Sequence, residues 1–360
     1  MFTTLLFILP FLVLYTVMVV YAERKISAFM QDRLGPMEVG YYGILQTVAD
    51  LLKLLQKEDL VPAQANKFLF KVAPLLIFIP ILLGFSVLPL SAGWSFGFST
   101  ALFFLLAIIS LDVIGIVIAG WASNNKYSML GTMRSVAQII SYEVPLSIAV
   151  LCVGVFAQSL DLQEISFQQG VLRNETPVPL FGIKGLPDVA GIGGVLAWNV
   201  FRMPILFIVW IVFFIASLAE SNRAPFDLPE AESELVAGYQ TEYSGFRWAI
   251  IMLAEYAMML LVSFVGVILF WGSWNTPLPN IGSLRLADWT TGQPGALSIH
   301  LWGIFWLVCK TFTMVAIQIW IRWTYPRIRI DQLTSLSWKF LTPISFVLLL
   351  ICALWKLGLM

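Results

Sequence analysis

Eight apolar stretches, separated by shorter polar segments, recur along the 360-residue chain. They fall near residues 2–22, 72–91, 98–121, 136–158, 196–219, 248–272, 300–321 and 340–358. Each has about the length that an α-helix needs to cross roughly 30 Å of hydrocarbon. The pattern predicts an all-α polytopic membrane protein of about eight transmembrane helices, with residues 1–360 forming a single integral membrane domain.

Two segments between the spans have the pattern of helices that lie on a membrane surface. Over residues 40–57, apolar side chains form one stripe and polar side chains form the opposite face. A helix of this length with internal charges is expected to lie along the interface and not to cross the membrane. In the second segment, Pro229 is placed as a first helical residue and Gly238 as a terminator.

The basic residues are divided unevenly between the two sets of loops. Loops after odd-numbered spans hold fifteen Lys and Arg residues, whereas loops after even-numbered spans hold three, Arg173, Lys184 and Arg285. Cytoplasmic loops are enriched in Lys and Arg. The distribution therefore predicts that both termini lie outside. It also predicts cytoplasmic segments at about 23–71, 122–135, 220–247 and 322–339, and outside loops of coil or short surface structure at about 159–195 and 273–299.

Composition excludes several classes of function. The chain is 59% hydrophobic and 12% charged, with 21 basic and 21 acidic residues, so nucleic-acid binding has no electrostatic support. Cys152, Cys309 and Cys352 lie in apolar runs without a CxxC or His partner, so we expect them to pack as small apolar residues and predict no metal site. The single histidine, His300, is expected to be structural. Because the sequence has no glycine-rich nucleotide loop after a strand and no haem-type pair of histidines, any redox cofactor must belong to a partner.

Residues 220–247 concentrate acidic side chains in an otherwise apolar chain. Arg223 and Arg247 are the only basic residues among six acids, which are Glu220, Asp227, Glu230, Glu232, Glu234 and Glu242. A loop at the negative cytoplasmic leaflet usually attracts basic residues. The segment therefore indicates a place where protons or cations gather, or where a basic partner protein docks. The alternatives are a solvated hairpin and, for Glu230, Glu232 and Glu234, compensation of a helix dipole.

Several charged residues lie inside the predicted spans, among them Asp112, Glu143, Glu255 and Lys310. An ionised side chain at mid-bilayer costs roughly 2.5–3.5 kcal/mol on insertion scales, so such groups must be paired, neutralised or hydrated. Glu143 and Glu255 each adjoin a tyrosine and lie within reach of the inside face, which makes them candidates for proton exchange. The alternative is a buried polar network that fixes helix packing.

Charged residues also bracket the amphipathic segment at 40–57. Arg24 and Arg33 precede it, and Asp50 lies within it. A quinone-like lipid has an apolar tail and carbonyl oxygens that need donors, which arginine supplies in a fixed fork. Such a ligand would enter sideways from the bilayer, beside an interfacial helix. The alternative is that these residues are topology signals, as juxtamembrane Arg and Lys usually are.

Five motifs are similar to those of one family. They are AERKISAFMQDRLGPMEVGYYGILQTVADLLKLLQKE (22–58), GWASNNKYSMLGTMRSVAQIISYEV (120–144), AESNRAPFDLPEAESELVAGYQTEY (219–243), AEYAMM (254–259) and TYPRIRIDQLTSLSWK (324–339). In this order, and over nearly the whole chain, they resemble the H-type membrane subunits of bacterial NADH-quinone oxidoreductases, whose mitochondrial counterpart is subunit 1 of respiratory complex I. The resemblance implies an eight-span protein that joins the membrane arm to the peripheral arm of a proton-translocating enzyme, with no complete active site of its own.

The resemblance also implies roles for individual residues. Arg24, Arg33 and Asp50 match the quinone-binding region, with quinone as the substrate. The family's proton pathway matches Glu143, Glu220, Asp227, Glu230, Glu232, Glu234, Glu242, Glu255 and Lys310. NADH, FMN and iron–sulfur clusters would belong to partner subunits. The implied partners are the peripheral-arm subunits of the quinone chamber, small neighbouring membrane subunits and membrane lipid.

Two features depart from the resemblance, and other functions stay open. Asp112 stands where the counterparts carry a small apolar residue, and the loop at 159–195 is longer than in the mitochondrial form. The alternatives are the equivalent subunit of a ferredoxin-, deazaflavin- or hydrogenase-linked complex, a stand-alone ion transporter and a structural anchor. A transporter would predict two pseudo-symmetric halves, and the sequence has no such internal similarity. The implied location is the bacterial plasma (inner) membrane, with an organellar inner membrane as the alternative.

The predicted orientation can be tested with single cysteines in a background that lacks the three native ones. In intact cells, an impermeant reagent should label cysteines that replace Asn174 or Asp288. The reagent should not reach cysteines that replace Glu58, Asn124, Glu234 or Gln332, because the basic-residue count places those positions inside. Labelling of Glu234→Cys from outside would contradict the eight-helix arrangement with both termini out.

Overall fold

A computed structural model describes residues 2–94, 97–172, 181, 183, 192–227, 236–281, 284–292 and 296–359. Most of these residues are helical. The helices are α1 (Phe2–Met30), α2 (Gln46–Gln56), α3 (Lys67–Val87), α4 (Ala101–Ile109), α5 (Asp112–Ala122), α6 (Lys126–Ala157), α7 (Leu162–Phe167), α8 (Asn199–Arg202), α9 (Pro204–Glu220), α10 (Gly245–Phe270), α11 (Leu286–Thr291), α12 (Leu297–Thr324), α13 (Ile330–Ser335) and α14 (Thr342–Leu359). A π turn, Leu336–Leu341, joins α13 to α14.

Short turns and one small hairpin complete the described secondary structure. Three 3₁₀ turns lie at Tyr41–Gly43, Gly194–Ala197 and Gly238–Gln240. The strands β1 (Asn280–Ile281) and β2 (Leu284–Arg285) pair antiparallel, with Asn280 opposite Arg285. These elements connect the long helices and form no separate layer.

Seven helical segments are long and apolar enough to cross a membrane, which confirms the predicted all-α polytopic fold. They are Phe7–Met30, Lys67–Val87, Ala101–Ala122, Lys126–Ala157, Gly245–Phe270, Leu297–Thr324 and Ile330–Gly358. The predicted span at 196–219 is different, because the chain breaks between α8 and α9 and Pro204 begins a new helix. The 17 residues of α9 extend for about 25 Å, which is less than the usual hydrocarbon thickness.

Two long helices extend beyond their predicted bounds at the cytoplasmic side of the predicted topology. Helix α1 continues to Met30, and α6 begins at Lys126, ten residues before the predicted span at 136. The polar residues at the start of α6 had predicted a loop. They are accommodated because the Thr132 hydroxyl donates to the Ser128 carbonyl oxygen and the Ser128 hydroxyl donates to the Tyr239 carbonyl oxygen.

Helix α10 is the centre of the bundle. In an 18-residue apolar stretch of α10, 89% of the residues are buried, compared with 22% in α1 and 28% in the segment Ile330–Gly358. It packs against α3, α9 and α12, while α6 packs against α9 and α14 on one side. Because α10 is surrounded by protein, polar side chains on it face other helices and not lipid.

A close approach between α6 and the turn Gly238–Gln240 positions two polar side chains in the interior. A Cβ atom added at Gly131 would lie 2.5 Å from the Cα atom of Gly238, so neither helix nor turn has room for a larger residue at this point. Gly238 itself has a φ of +56°, which favours glycine. The turn consequently carries Tyr239 and Gln240 directly against α6 and α10.

The described parts of the predicted outside loops are more ordered than coil. Helix α7 is largely buried, and its neighbour Gln169 donates to the Ile268 carbonyl oxygen at 2.8 Å and accepts from the Gly272 amide at 3.0 Å. Asn199 donates to the Leu269 carbonyl oxygen at 2.7 Å. These amide side chains satisfy main-chain groups at the end of α10, which explains why polar residues are buried there.

The amphipathic segment forms a helix over Gln46–Gln56, preceded by the turn at Tyr41–Gly43, as the pattern predicts. Its apolar side chains are divided, because Leu51 is half-buried while Val48 and Leu52 are exposed on this chain. The helix predicted from Pro229 lies outside the described residues.

The cysteines and the histidine are placed largely as expected. Cys152 and Cys352 are buried, and Cys309 is exposed on the apolar helix α12. His300 lies 2.7 Å through Nδ1 from the Ser91 hydroxyl and packs edge-on against Trp94. Among the described residues, no cluster of three or more His, Cys, Asp or Glu side chains could hold a metal ion.

Candidate functional site

A long apolar cavity of about 770 Å³ lies between α1, α2 and α10. Along α1 its wall extends from Leu9 to Ser27, which is about 27 Å of helix axis. The remaining apolar wall includes Leu51, Leu54, Leu55, Leu75, Phe78, Phe246, Trp248, Ile250, Met252 and Leu253. The cavity is therefore suited to an elongated hydrophobic molecule.

One end of this cavity is polar, and Arg24, Arg33 and Asp50 all line it. Arg24 Nη1 lies 2.5 Å from Asp50 Oδ2, and the Gln46 amide donates to Asp50 Oδ1 at 3.2 Å. The ion pair connects α1 to α2. Arg24, Arg33 and Gln46 also line a neighbouring cleft of about 490 Å³. The structure thus brings together the three residues that the sequence analysis placed in the quinone-binding region.

Glu23 is a buried acid at the same end that sequence reasoning did not assign to a site. It accepts hydrogen bonds from Arg322, from the Tyr256 hydroxyl at 2.8 Å and from Arg223 Nη1 at 3.5 Å. These contacts join α1, α10, α12 and the acidic segment at one carboxylate. In the sequence, Glu23 stands beside Arg24 and Lys25 at the end of a predicted span. Charged residues at that position commonly set membrane topology, so they do not by themselves indicate a site.

Arg223 connects this cavity to the interior of the bundle. Its guanidinium carbon lies 4.1 Å from the centroid of the Tyr256 ring, and it interacts electrostatically with both Glu23 and Glu255. Burial favours the neutral form, but the neighbouring Tyr256, Glu23 and Glu255 hold the pKa of Arg223 above its usual value. Arg223 is therefore a fixed cation between two carboxyl groups.

Glu255 faces away from the apolar cavity, although it is adjacent in sequence to Tyr256. Its Oε1 atom accepts from the Tyr239 hydroxyl at 3.0 Å and from the Gln240 amide at 2.5 Å. Successive residues of a helix point about 100° apart, so this pair of residues places a phenol at the cavity and a carboxyl group in the interior.

A small interior cavity of about 20 Å³ gathers carboxyl groups from three helices. Asp112 at the start of α5, Glu220 at the end of α9 and Glu255 on α10 line it. Glu143 on α6 is half-buried and interacts electrostatically with Asp112 and Glu220. The predicted Glu143, Glu220 and Glu255 therefore lie in one group, which we call the acid row, and Asp112 joins them.

The other predicted pathway residues lie elsewhere or are not described. Asp227 is buried and pairs with Arg327 at 3.2 Å, and Glu242 accepts from the Asn125 amide at 2.5 Å. These contacts tie the ends of the acidic segment to α6 and to the residues before α13. Glu230, Glu232 and Glu234 lie outside the described residues.

Lys310 is far from the acid row. Its Nζ atom donates to the carbonyl oxygens of Trp271, Ser273 and Asn275 at 2.9, 2.9 and 2.6 Å and lies 4.2 Å from the centroid of the Trp198 ring. Trp271 is about 24 Å along the helix axis from Glu255. Three accepting carbonyls require three N–H donors, so the geometry fits a protonated ammonium group that holds the chain directly after α10.

The fold and the site define a polytopic helical membrane protein with an elongated apolar cavity linked to buried acids. The family model described as NADH dehydrogenase matches residues 2–353. The chain belongs to this family, which comprises the 1/H type of membrane subunit.

Proteins from several bacteria are similar to this chain over nearly its whole length. A protein of Cytophaga hutchinsonii, named as H-type subunit 2 of NADH-quinone oxidoreductase, is 58% identical over 355 residues, covering 97% of each chain. Proteins of Chlorobium luteolum and Chlorobaculum tepidum, named as the H-type subunit of the same enzyme, are 50% and 49% identical. Both alignments cover 97% of this chain, with 87% of the first protein and 90% of the second.

The Lys310 contacts generate a test of its role. Lys310→Met should lower the thermal stability of the purified assembly, because three buried carbonyl oxygens lose their donors and each such loss costs about 1–3 kcal/mol. Thr313→Val, on the same helix but exposed, is the control. A variant with normal stability but defective proton pumping would instead support a role in the proton pathway.

Proposed function

We propose that this chain is the membrane subunit of a proton-translocating NADH-quinone oxidoreductase, and that it forms the membrane-side wall of the quinone chamber and the acidic path to the proton pumps. The observation that carries the proposal is the connection between two sites. An apolar cavity ends at Arg24, Arg33 and Glu23, and Arg223 joins that end to Glu255. The relatives' names support the same reaction.

The cavity matches the chemistry of a quinone. An isoprenoid tail is apolar and elongated, as is the wall along α1 from Leu9 to Val20. The head group has two carbonyl oxygens that accept hydrogen bonds, and the guanidinium groups of Arg24 and Arg33 are donors at the polar end. Leu51, Leu54 and Leu55 of α2 form the side of the cavity, so this amphipathic helix would guide a lipid that enters from the bilayer.

The chain's own residues supply binding and charge coupling. NADH, FMN and iron–sulfur clusters belong to partner subunits in this proposal, as do the electrons that reduce the quinone. Reduction of a quinone by two electrons consumes two protons, and a proton taken from a group beside the head group would leave a negative charge near Glu23. Unit charges about 4 Å apart interact by about 4 kcal/mol at an effective dielectric constant of about 20. A change at Glu23 would therefore alter how Arg223 is shared with Glu255.

Proton movement would continue through the acid row. Glu255 meets Glu220 at the small cavity, and Glu220 interacts with Glu143. Each group lies on a different long helix, so the row crosses the bundle from α10 towards α6. Asp227 and Glu242 would hold the acidic segment in place at its ends, next to the partner subunits of the chamber.

The proposal places the protein in the bacterial plasma membrane, with both termini outside. Its partners would be the peripheral-arm subunits that complete the chamber and the small membrane subunits beside α6. The relatives that support this location are bacterial, and the seven apolar helices show a multi-pass membrane protein.

The quinone role predicts a selective defect. In the assembled complex, Arg33→Met should weaken quinone-linked turnover, because it removes a donor from the polar end of the cavity. NADH oxidation by a hydrophilic artificial acceptor should stay normal, since that acceptor bypasses the chamber. Arg329→Met removes the same group from an exposed position that does not line the cavity and serves as the control. Unchanged quinone affinity and turnover in Arg33→Met would refute the assignment.

The acid row predicts a difference between removing an acid and shortening it. Glu143→Gln, Glu220→Gln and Glu255→Gln should assemble but lose quinone-reductase and pumping activity by about 10²-fold or more, because Gln cannot carry a proton. The corresponding Asp variants should keep part of the activity. Glu164→Gln, on α7 away from the row, is the control. Assembled Gln variants that pump with normal stoichiometry would reduce these residues to packing elements.

A further inference from the structure

Asp112 is buried among the acids although it departs from the family pattern. It begins α5 directly after the interruption at Ser110 and Leu111, and it is only 4% exposed. Its carboxyl group accepts a hydrogen bond from the Val113 amide, but Oδ1 has no partner among the described residues. Buried carboxyl oxygens are normally hydrogen-bonded, so this oxygen requires a donor.

The carboxyl group of Glu220, which lines the same cavity, also requires hydrogen-bond donors. It is 2% exposed, and within the described part of the chain neither of its carboxyl oxygens has a hydrogen-bond partner. The neighbouring hydroxyl groups already donate elsewhere. Ser221 donates to the Ser217 carbonyl oxygen at 3.0 Å, and Tyr239 donates to Glu255 at 3.0 Å. The missing donors must therefore come from a bound molecule or from protons on the acids.

The volume of the cavity between these side chains limits which molecule can bind there. A cavity needs a volume of about 10–15 Å³ to hold one water molecule, and this cavity has about 20 Å³. A metal ion fits less well, because no group of three or more His, Cys, Asp or Glu side chains among the described residues could hold one. A water molecule has two donors, which can serve Asp112 Oδ1 and one of the two oxygens of Glu220.

We propose that Asp112 is a proton-carrying member of the acid row and that it shares a single water molecule with Glu220. The inference rests on the proposed function and adds a link between Glu220 and Glu143. Asp112 on α5 interacts electrostatically with Glu143 on α6, and these two helices pack against each other. This position gives a proton from Glu220 a second acceptor on the side of the cavity towards α6.

The transfer balances without any further reactant. The carboxyl O–H bond of Glu220 breaks as the water forms a new O–H bond, and the water passes a different proton to the ionised Asp112. The water is regenerated, Glu220 is left as a carboxylate and Asp112 becomes a carboxylic acid. The proton can then move on to Glu143, which leaves Asp112 ready to accept again.

The test compares Asp112→Asn with Asp112→Glu in the assembled complex. Asn keeps the shape but cannot carry a proton, whereas Glu keeps the acid. Asp112→Asn should lower quinone-linked turnover and pumping about tenfold, less than the 10² or more typical of a lost general acid or base, because the water can still join Glu220 to Glu255. Asp112→Glu should retain most of the activity. Thr311→Val, which removes a buried hydroxyl from α12, is the control for loss of a polar group.

Infrared difference spectra provide a readout that a packing role would not change. Reduction of quinone should produce a carbonyl band from protonated carboxyl groups, and Asp112→Asn should remove part of this band while Thr311→Val leaves it intact. Normal turnover, pumping and carbonyl band in Asp112→Asn would overturn the inference. If Asp112→Asn does not assemble, Asp112→Ala replaces it, and equal turnover in the Ala and Glu variants would also overturn the inference.

Two further outcomes separate this inference from the proposed function. If Glu220→Gln is inactive while Asp112→Asn is normal, the role of Asp112 fails and the acid row stands. If both variants are normal, the row and the inference both fail. Stimulation of turnover by sodium that disappears in Asp112→Asn would replace the water with a cation and overturn the shared-water arrangement.

Discussion

The cost of burying charge governs the arrangement of this protein. Glu23 is buried near the end of α1 and is compensated by Arg223, Arg322 and the Tyr256 hydroxyl. Removing one partner from a buried ion pair typically costs about 3–5 kcal/mol, because the other charge stays buried without compensation. The four elements that supply these groups are therefore held in one geometry. That geometry forms the polar end of the apolar cavity and holds Arg223, which interacts electrostatically with Glu255.

Buried polar groups along α10 and directly after it have different kinds of partners. In the first half of α10, Glu255 accepts hydrogen bonds from the Tyr239 hydroxyl and the Gln240 amide. Beyond its last residue, Lys310 is saturated by three main-chain carbonyl oxygens and an aromatic face. An ammonium group with three main-chain acceptors stabilises the chain after the helix, whereas a carboxyl group that lines a small interior cavity with other acids can change its protonation. The same central helix thus carries a carboxyl group that can change its protonation and is followed by a segment that Lys310 holds in place.

Sequence reasoning selected some residues of the candidate site for physical reasons that did not extend to others. Glu143 and Glu255 were found because a charge in an apolar span is costly and conspicuous. Glu23 was missed because Glu23, Arg24 and Lys25 read as the polar end of a span, whereas α1 continues through them to Met30. Lys310 was equally conspicuous in sequence. Distinguishing a structural contact from a proton relay requires knowledge of its partners, and these belong to the chain after α10.

The sequence by itself determined the membrane class, because the length of each apolar run must match the thickness of a bilayer, and it indicated which charged residues need compensation. Its motifs also indicated the family. Only the tertiary structure decided which of these residues share a site. Arg24 and Asp50 are 26 residues apart, and Glu23 and Arg322 are 299 apart, yet each pair is in contact. Such pairing depends on how the helices pack side by side, and the periodicity of any single helix carries no information about its neighbours.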